Sequence, residues 1–174
     1  MKSYLNNQSA PRGIRNNNPG NLIRTNIKWL GKIPFTESTD KKFEQFRSVE
    51  YGIRAMAADL LNDIEKGKNT IQKIVYEFAP PSENETSAYI KAVSDSTGIK
   101  PTEPIKPSKE ILAALIKAHI KVENGKAASQ YIPDADIKAG IDLLPTSLKS
   151  KLITTAAVIT PIFLLILGLL YIKK

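Results

Sequence analysis

The residues of this sequence that could do chemistry are carboxylates set among amides and aromatic rings. The 174-residue chain has no cysteine and one histidine, which excludes disulfide scaffolds, cysteine nucleophiles and histidine-based metal sites. It has no phosphate-binding glycine loop and no Gly-x-Ser-x-Gly motif, which disfavours ATPases and serine hydrolases. Carboxylates beside aromatics and amides are typical of glycoside cleavage, which needs one carboxylic acid and often a second carboxylate. No metal or cofactor is expected.

Glu123 is the first candidate for that acid. It closes a predicted helix in the sequence AHIKVENG, one turn after His119 and directly before Asn124 and Gly125. The macrodipole at a helix C-terminus disfavours a negative charge, which is the direction that a general acid needs. The alternative is a solvated glutamate before an ordinary glycine stop, and a histidine on an apolar stripe is typical of a packed side chain.

Two further acids, Glu37 and Asp40, lie in a turn-like stretch after Trp29. Solvation at the surface is the alternative for both. Glu83 and Asn84 precede a predicted helix and can cap it. Trp29 is the only tryptophan, and it is either a core residue or a platform on which a sugar ring stacks.

Most of the chain before the C-terminal apolar run is predicted to be helical. Apolar residues with helical spacing predict an amphipathic helix from Ser48 to Gly67. Residues 11–47 are rich in Asn, Gly, Pro and Thr, which predicts turns with one or two brief strands. Further helices are predicted near residues 69–79, 84–97, 108–124 and 135–144.

The C-terminus carries a predicted transmembrane helix. Residues 152–172 contain no charge, and as a helix they are about 31 Å long, close to the roughly 30 Å of a hydrocarbon core. Two lysines flank each end, so they do not decide the orientation of the span. Residues 1–19 are polar without an apolar stretch, so no signal peptide is predicted and insertion is expected to follow synthesis.

The net charge of +8 is concentrated at the two ends of the chain. Residues 1–34 contain six Lys and Arg and no acid, and the four terminal lysines border the predicted span. The basic N-terminal segment could meet an anionic polymer or surface. Its charges are not clustered, so sequence-specific binding to nucleic acid is not expected.

The predicted fold class is therefore mainly α, with a small loop and strand segment near the start and one transmembrane helix. Three prolines at every third position predict an extended connector within the helical domain. The predicted organisation is a flexible N-terminus at 1–10, a helical domain at 11–144 with the Pro-rich connector at 100–107, a juxtamembrane linker at 145–151, the transmembrane helix at 152–172 and a basic tail at 173–174.

An ordered set of motifs resembles a family of phage and prophage proteins. It begins with RGIRNNNPGN at residues 12–21, ends with Glu123-Asn-Gly125, and covers roughly residues 11–143. Its members are described as virion structural proteins, and the family is known from membrane-containing tailless phages. The resemblance implies a virion protein whose span lies in an internal virion membrane, and in the host inner membrane during assembly. A bacterial tail-anchored protein of prophage origin is the alternative.

A more distant resemblance concerns lysozyme-like murein enzymes. Asn21-Leu22, Trp29-Leu-Gly31 and Phe46-Arg47 are similar to the later part of bacterial glucosaminidases, where these motifs follow a helix with the catalytic glutamate. Residues 1–34 contain no acid, whereas residues 111–125 look like that helix displaced towards the C-terminus. The hypothesis is a circularly permuted lysozyme-like domain, in which Glu123 packs against residues 18–29 and faces Glu37 or Asp40 across a groove.

The resemblance thus implies a membrane-anchored virion protein whose lysozyme-like domain processes host peptidoglycan during cell entry. It would act as a glycosidase or a lytic transglycosylase, with Glu123 as the proton donor and Glu37 or Asp40 as the second carboxylate. The residues expected to line the sugar groove are Asn18, Asn21, Trp29, Asn84 and Tyr89. The expected partners are a lipid bilayer, host peptidoglycan, and capsid or vertex proteins. The alternative is a non-catalytic structural protein that ties the capsid to the internal membrane.

Overall fold

The computed structural model describes residues 1–79 and 85–153, and within these ranges the protein is built from helices and turns. The prediction of a mainly α fold is confirmed. The helices are α1 (Arg12–Arg15), α2 (Val49–Glu65), α3 (Ile71–Phe78), α4 (Thr86–Thr97), α5 (Lys109–Asn124), α6 (Ala128–Tyr131), α7 (Asp134–Asp142) and α8 (Thr146–Lys149).

Local signals in the sequence set the ends of the longer helices. The Ser108 hydroxyl accepts a hydrogen bond from the backbone N–H of Ile111 at 3.2 Å and so caps α5. Gly98 ends α4 with φ 71°, a left-handed conformation in which a residue without a Cβ is not strained. The hydroxyl of Thr70 accepts from the N–H of Lys73, and α3 therefore begins slightly later than predicted.

The long helix α2 lies at the centre of the core. Its apolar face is buried, and Ile53, Met56 and Leu60 have no exposed surface. α7 packs closely against this face at Gly140, where a Cβ would stand 2.5 Å from Cγ2 of Ile53. α4 and α5 pack against each other, and α5 also contacts α1, α2 and α7. The core therefore places the C-terminal end of α5 beside the part of the chain that precedes α2, residues 1–48, which is called the N-terminal segment below.

The segment before α2 is folded without a regular strand in the part of the chain that the structure describes. Two isolated antiparallel bridges, Ile23 with Phe43 and Lys32 with Phe46, stand where one or two brief strands are predicted. Phe46 is fully buried and packs with Leu22. The turns are therefore present, but the pairing is too short to count as a sheet.

Three consecutive buried asparagines supply the hydrogen bonds that a sheet would otherwise give to this segment. Asn16, Asn17 and Asn18 are each at most 3% exposed. The Asn17 amide donates to the Phe46 carbonyl at 2.9 Å, and its oxygen accepts from the N–H of Tyr4 at 2.7 Å. Buried backbone groups need partners, and here side-chain amides provide them.

The proline-rich segment 100–107 differs from the extended connector that the prolines predict. Ile105 is buried, and its backbone N–H donates to the Asn69 carbonyl at 2.7 Å. The N–H of Gln72 donates to the Pro101 carbonyl at 3.0 Å. These contacts hold the segment against the start of α3, because an isoleucine among the prolines gives it an apolar side chain to bury.

No helix within residues 1–79 and 85–153 is long and apolar enough to cross a membrane. The predicted span at 152–172 lies outside the described residues, apart from Leu152 and Ile153.

Substitution of Gly52 by alanine is expected to destabilise the fold strongly. Gly52 faces the N-terminal segment from α2, and a Cβ there would stand 1.9 Å from the Asn17 carbonyl oxygen. We expect a loss of about 3 kcal/mol, the upper end of the usual cost of overpacking, in thermal or denaturant unfolding. Gly67→Ala is the matched control, since its Cβ meets no atom within 4 Å and only its φ of 87° is unfavourable. Equal losses in the two variants would contradict this packing.

Candidate functional site

A groove of about 370 Å³ lies between the N-terminal segment, the polar sides of α2 and α3, and the last turn of α5. It combines carboxylates, an amide and aromatic rings in one depression. Its lining residues are Gly20, Asn21, Leu22, Ile23, Thr25, Ile27, Trp29, Lys42, Phe43, Asp59, Asp63, Glu77, Phe78 and Glu123.

Glu123 stands in this groove with a hydrogen bond to each carboxyl oxygen. The Asn21 amide donates to Oε2 at 2.9 Å, and the Tyr89 hydroxyl donates to Oε1 at 3.0 Å. The side chain is half-buried, so the carboxyl group is held in place while it still faces the groove. The prediction that Glu123 packs against residues 18–29 is confirmed by its contact with Asn21.

The end of α5 is fastened to the N-terminal segment by the residue next to Glu123. The Asn124 amide donates to the Pro19 carbonyl at 2.7 Å and to the Ile120 carbonyl at 3.1 Å. Gly13 permits this approach, because a Cβ there would stand 2.5 Å from Oδ1 of Asn124 and 2.6 Å from Oδ1 of Asn21. These contacts position Asn21 beside the Glu123 carboxyl group.

Tyr89 and His119 stand behind Glu123 in the core. The Tyr89 hydroxyl is 2.6 Å from Nδ1 of His119, and the imidazole also packs against the Phe78 ring. Burial lowers the pKa of His119 to about 4, so the ring is neutral at physiological pH. Burial, and then the charge of Glu123, raise the pKa of Tyr89, which therefore keeps its proton. The histidine is thus a packed core residue, and its Nδ1 atom contacts the site through Tyr89.

Three acids on α2 and α3 line the groove together with Glu123. Lys68 lies 3.3 Å from Asp63 and 2.7 Å from Glu77, and it pairs with both. The side chain of Asp59 has no hydrogen bond or ion pair within the described ranges. Burial, followed by the charge of Asp63, raises the pKa of Asp59 above its ordinary value. This side of the groove is therefore a second source of carboxylates.

Sequence reasoning missed these three acids. Asp59 and Asp63 are spaced i, i+4 on the polar side of α2, a pattern that normally indicates a solvated helix face. Only the packing of α3 and the N-terminal segment against α2 turns this face into a groove wall.

The indole of Trp29 forms part of the groove wall on the N-terminal side. The side chain is half-buried and packs against the apolar core with its covered part. Its neighbours Ile23 and Ile27 are 61% and 47% exposed. A partly exposed indole with apolar neighbours is a surface on which the flat face of a sugar ring can stack.

Similarity to one phage protein decides the family. Protein P5 of Pseudoalteromonas phage PM2 is 36% identical to this chain over 137 residues, which make up 76% of the chain and 81% of Protein P5. The chain belongs to the Protein P5 family. Its membership supports the expectation of a phage virion protein family. No family model matches the chain.

In this member of the Protein P5 family, Asp40 lies outside the groove lining, in contrast to the predicted pairing with Glu123. The Arg12 guanidinium donates to both of its oxygens, at 2.8 and 2.9 Å, and Asn16 donates at 2.7 Å. The backbone N–H groups of Lys42 and Phe43 donate to it as well. These donors, the Arg12 guanidinium first, hold the pKa of Asp40 well below its usual range. Asp40 is therefore a structural anchor of the N-terminal segment.

Glu37 also lies away from Glu123. It is exposed and borders a separate depression with Arg15 and Gln45. The prediction that Glu123 faces Glu37 or Asp40 across a groove is therefore corrected: the acids opposite are on α2 and α3. The reason is that Asp40 pairs with Arg12 at 2.8 Å instead of turning towards Glu123.

Only some of the residues that are predicted to bind a sugar lie at the groove. Asn21 and Trp29 line the groove, and Tyr89 contacts Glu123 from behind. Asn18 is fully buried and binds the Leu22 and Glu44 carbonyls, so its amide holds the segment together. Asn84, like Glu83, lies outside the described residues. Within the described residues, no three His, Asp or Glu side chains are arranged to hold a metal ion.

Asp40→Asn is expected to lower stability in a pH-dependent way. A carboxyl group whose pKa is depressed in the folded state stabilises it above the ordinary pKa of 3.8, and this contribution is lost as the pH falls below that value. At neutral pH the variant should lose about 2 kcal/mol of unfolding free energy. The difference from wild type should shrink below about pH 4. Glu37→Gln, at an exposed position, is the control, and a difference independent of pH would contradict the assignment.

Proposed function

We propose that this chain is a membrane-anchored phage virion protein whose helical domain cleaves the glycan strands of host peptidoglycan. The observation that carries the proposal is the groove in which Glu123, Asn21 and Trp29 meet. It unites an acid, which glycoside cleavage requires, with an amide donor and an aromatic ring that can bind a sugar. The distant resemblance to lysozyme-like murein enzymes supports the same class of substrate.

Glu123 is the proposed proton donor to the glycosidic oxygen. Its two hydrogen bonds limit its rotation, and its position in the groove allows it to reach a bound glycan. A positioned acid of this kind typically contributes a factor of about 10²–10⁴ to the rate. The catalytic effect is therefore concentrated on one side chain, which makes the proposal easy to test.

Asp59 is the proposed second carboxylate, in place of Glu37 or Asp40. It lines the groove without an ion-pair partner among the described residues, whereas Asp63 and Glu77 are occupied by Lys68. An unpaired carboxylate can stabilise an oxocarbenium-like transition state or position a water molecule. In a lytic transglycosylase, a sugar hydroxyl attacks instead of water, and Glu123 would suffice.

The remaining parts of the proposal concern location and partners. Residues 152–172 would anchor the protein in the virion membrane, and in the host inner membrane during assembly, with the domain directed at peptidoglycan. Membership of a phage protein family and the resemblance to proteins of membrane-containing phages support a virion membrane rather than a bacterial one. Capsid or vertex proteins are the expected neighbours within the particle.

A structural role without chemistry is the second candidate. It is favoured by the hydrogen bonds of Glu123, which tie α4, α5 and the N-terminal segment together as a purely structural carboxylate would. In this case the same domain would link the internal membrane to the capsid. Family membership is compatible with both roles, so activity on peptidoglycan separates them.

Glu123→Gln should abolish the release of soluble fragments from dye-labelled peptidoglycan by the full-length protein in detergent. Glutamine keeps the shape and can still accept from Tyr89, but it has no acidic proton to give. We expect activity to fall by at least about 100-fold with an unchanged circular dichroism spectrum. Glu37→Gln makes the same chemical change outside the groove and should retain full activity.

Two results would contradict the proposal in different ways. A folded wild-type protein that releases nothing would favour the structural role. Equal activity in wild type and Glu123→Gln would show that another residue donates the proton.

A further inference from the structure

Three polar side chains form a line from the core to the groove. Nδ1 of His119 lies 2.6 Å from the Tyr89 hydroxyl, which in turn lies 3.0 Å from Oε1 of Glu123. His119 and Glu123 are one turn apart on α5, and Tyr89 reaches them from α4. The imidazole is only 1% exposed.

The hydrogens available to these three side chains allow only two directions for the hydrogen bonds between them. The Tyr89 hydroxyl has one hydrogen, and a neutral imidazole has one N–H. Either His119 donates from Nδ1 to Tyr89, which then donates to Glu123, or Tyr89 donates to Nδ1 and the imidazole carries its hydrogen on Nε2. The two arrangements differ in the histidine tautomer.

The surroundings of Nε2 favour the first arrangement. In the described part of the chain, Nε2 of His119 is buried and has no hydrogen-bond partner. A hydrogen at this position would be a buried donor without an acceptor, which is more costly than a bare lone pair. The second arrangement would also deprive Oε1 of Glu123 of the hydrogen that Tyr89 donates to it. His119 is therefore expected to donate from Nδ1, with the Tyr89 hydrogen directed at Glu123.

This arrangement gives each oxygen of Glu123 one hydrogen-bond donor. Oε1 accepts from the Tyr89 hydroxyl at 3.0 Å, and Oε2 accepts from the Asn21 amide at 2.9 Å. Asn21 lines the groove together with Glu123. We propose that the chain from His119 through Tyr89 is a positioning device that fixes the orientation of the Glu123 carboxyl group towards the glycan. The catalytic consequence rests on the proposed function, whereas the arrangement of hydrogens does not.

The tautomer of His119 tests the arrangement directly. Because the chain contains one histidine, the full-length protein in detergent with ¹⁵N-labelled histidine gives one pair of ring nitrogen signals. At neutral pH we expect a protonated Nδ1 and a bare Nε2 in the wild-type protein. In Tyr89→Phe, which removes the acceptor of the Nδ1 hydrogen, this preference should be lost. A protonated Nε2 or a charged imidazolium in the wild type would overturn the proposal.

The catalytic consequence is tested with dye-labelled peptidoglycan as the substrate. Tyr89→Phe should lower kcat about tenfold while the apparent KM stays within about twofold, because a hydrogen bond to the acid is lost and the groove lining is unchanged. Tyr76→Phe, which removes a hydroxyl on α3 outside the groove lining, is the matched control and should be unaffected.

Two substitutions of His119 distinguish a role in positioning Tyr89 from a role in packing the core. The amide of His119→Asn can still donate to Tyr89 from a position near that of Nδ1 and should retain more kcat than His119→Leu. Equal kcat in these two variants, or an unchanged kcat in Tyr89→Phe, would overturn the positioning role. An inactive wild type with the Nδ1–H tautomer would instead overturn the proposed function and leave the arrangement of hydrogens correct.

Discussion

The contact between residues 19–21 and the last turn of α5 is the interaction on which the groove depends. Asn124 binds the Pro19 carbonyl, and Asn21 binds Glu123, although 102 residues separate the last two along the chain. One wall of the groove comes from a segment without regular strands and the other from helices, so neither forms the groove alone. The absence of a side chain at Gly13 is what lets the two walls come this close.

Buried amides hold the N-terminal segment in place, so that it can form one wall of the groove. Asn16, Asn17 and Asn18 bind backbone groups or acids that would otherwise be buried without partners, and Arg12 neutralises Asp40 at the same place. Unpaired polar groups in a protein interior are costly, so a network of this kind is stable only when nearly every member is satisfied. The RGIRNNNPGN motif is thus explained by structure first, since most of its polar residues hold the segment and only Asn21 touches the acid.

The helices and part of the site could be predicted from the sequence, because their signals are local. Apolar periodicity predicts α2, and a serine cap with a glycine stop predicts α5. The motif resemblance predicts that Glu123 packs against the segment that contains Asn21 and Trp29. The partners of the other acids could not be predicted in this way. Asp40 beside Arg12 and Asp59 beside the groove both depend on contacts between distant parts of the chain, and in the sequence each resembles an ordinary solvated acid. The same limit applies to Ile105, whose burial reveals that the proline-rich segment is packed.

In this member of a phage protein family, one carboxyl group is held by Asn21 and Tyr89 in a groove that also contains Trp29. We propose that this group breaks glycosidic bonds in peptidoglycan. Mass spectrometry of the soluble products from purified peptidoglycan tests this most directly. We expect disaccharide-peptides with reducing ends if Asp59 directs a water molecule, or with 1,6-anhydro ends if Glu123 acts alone. We expect neither product from Glu123→Gln. Folded wild-type protein that yields no glycan fragments, or the same fragments from Glu123→Gln, would contradict it.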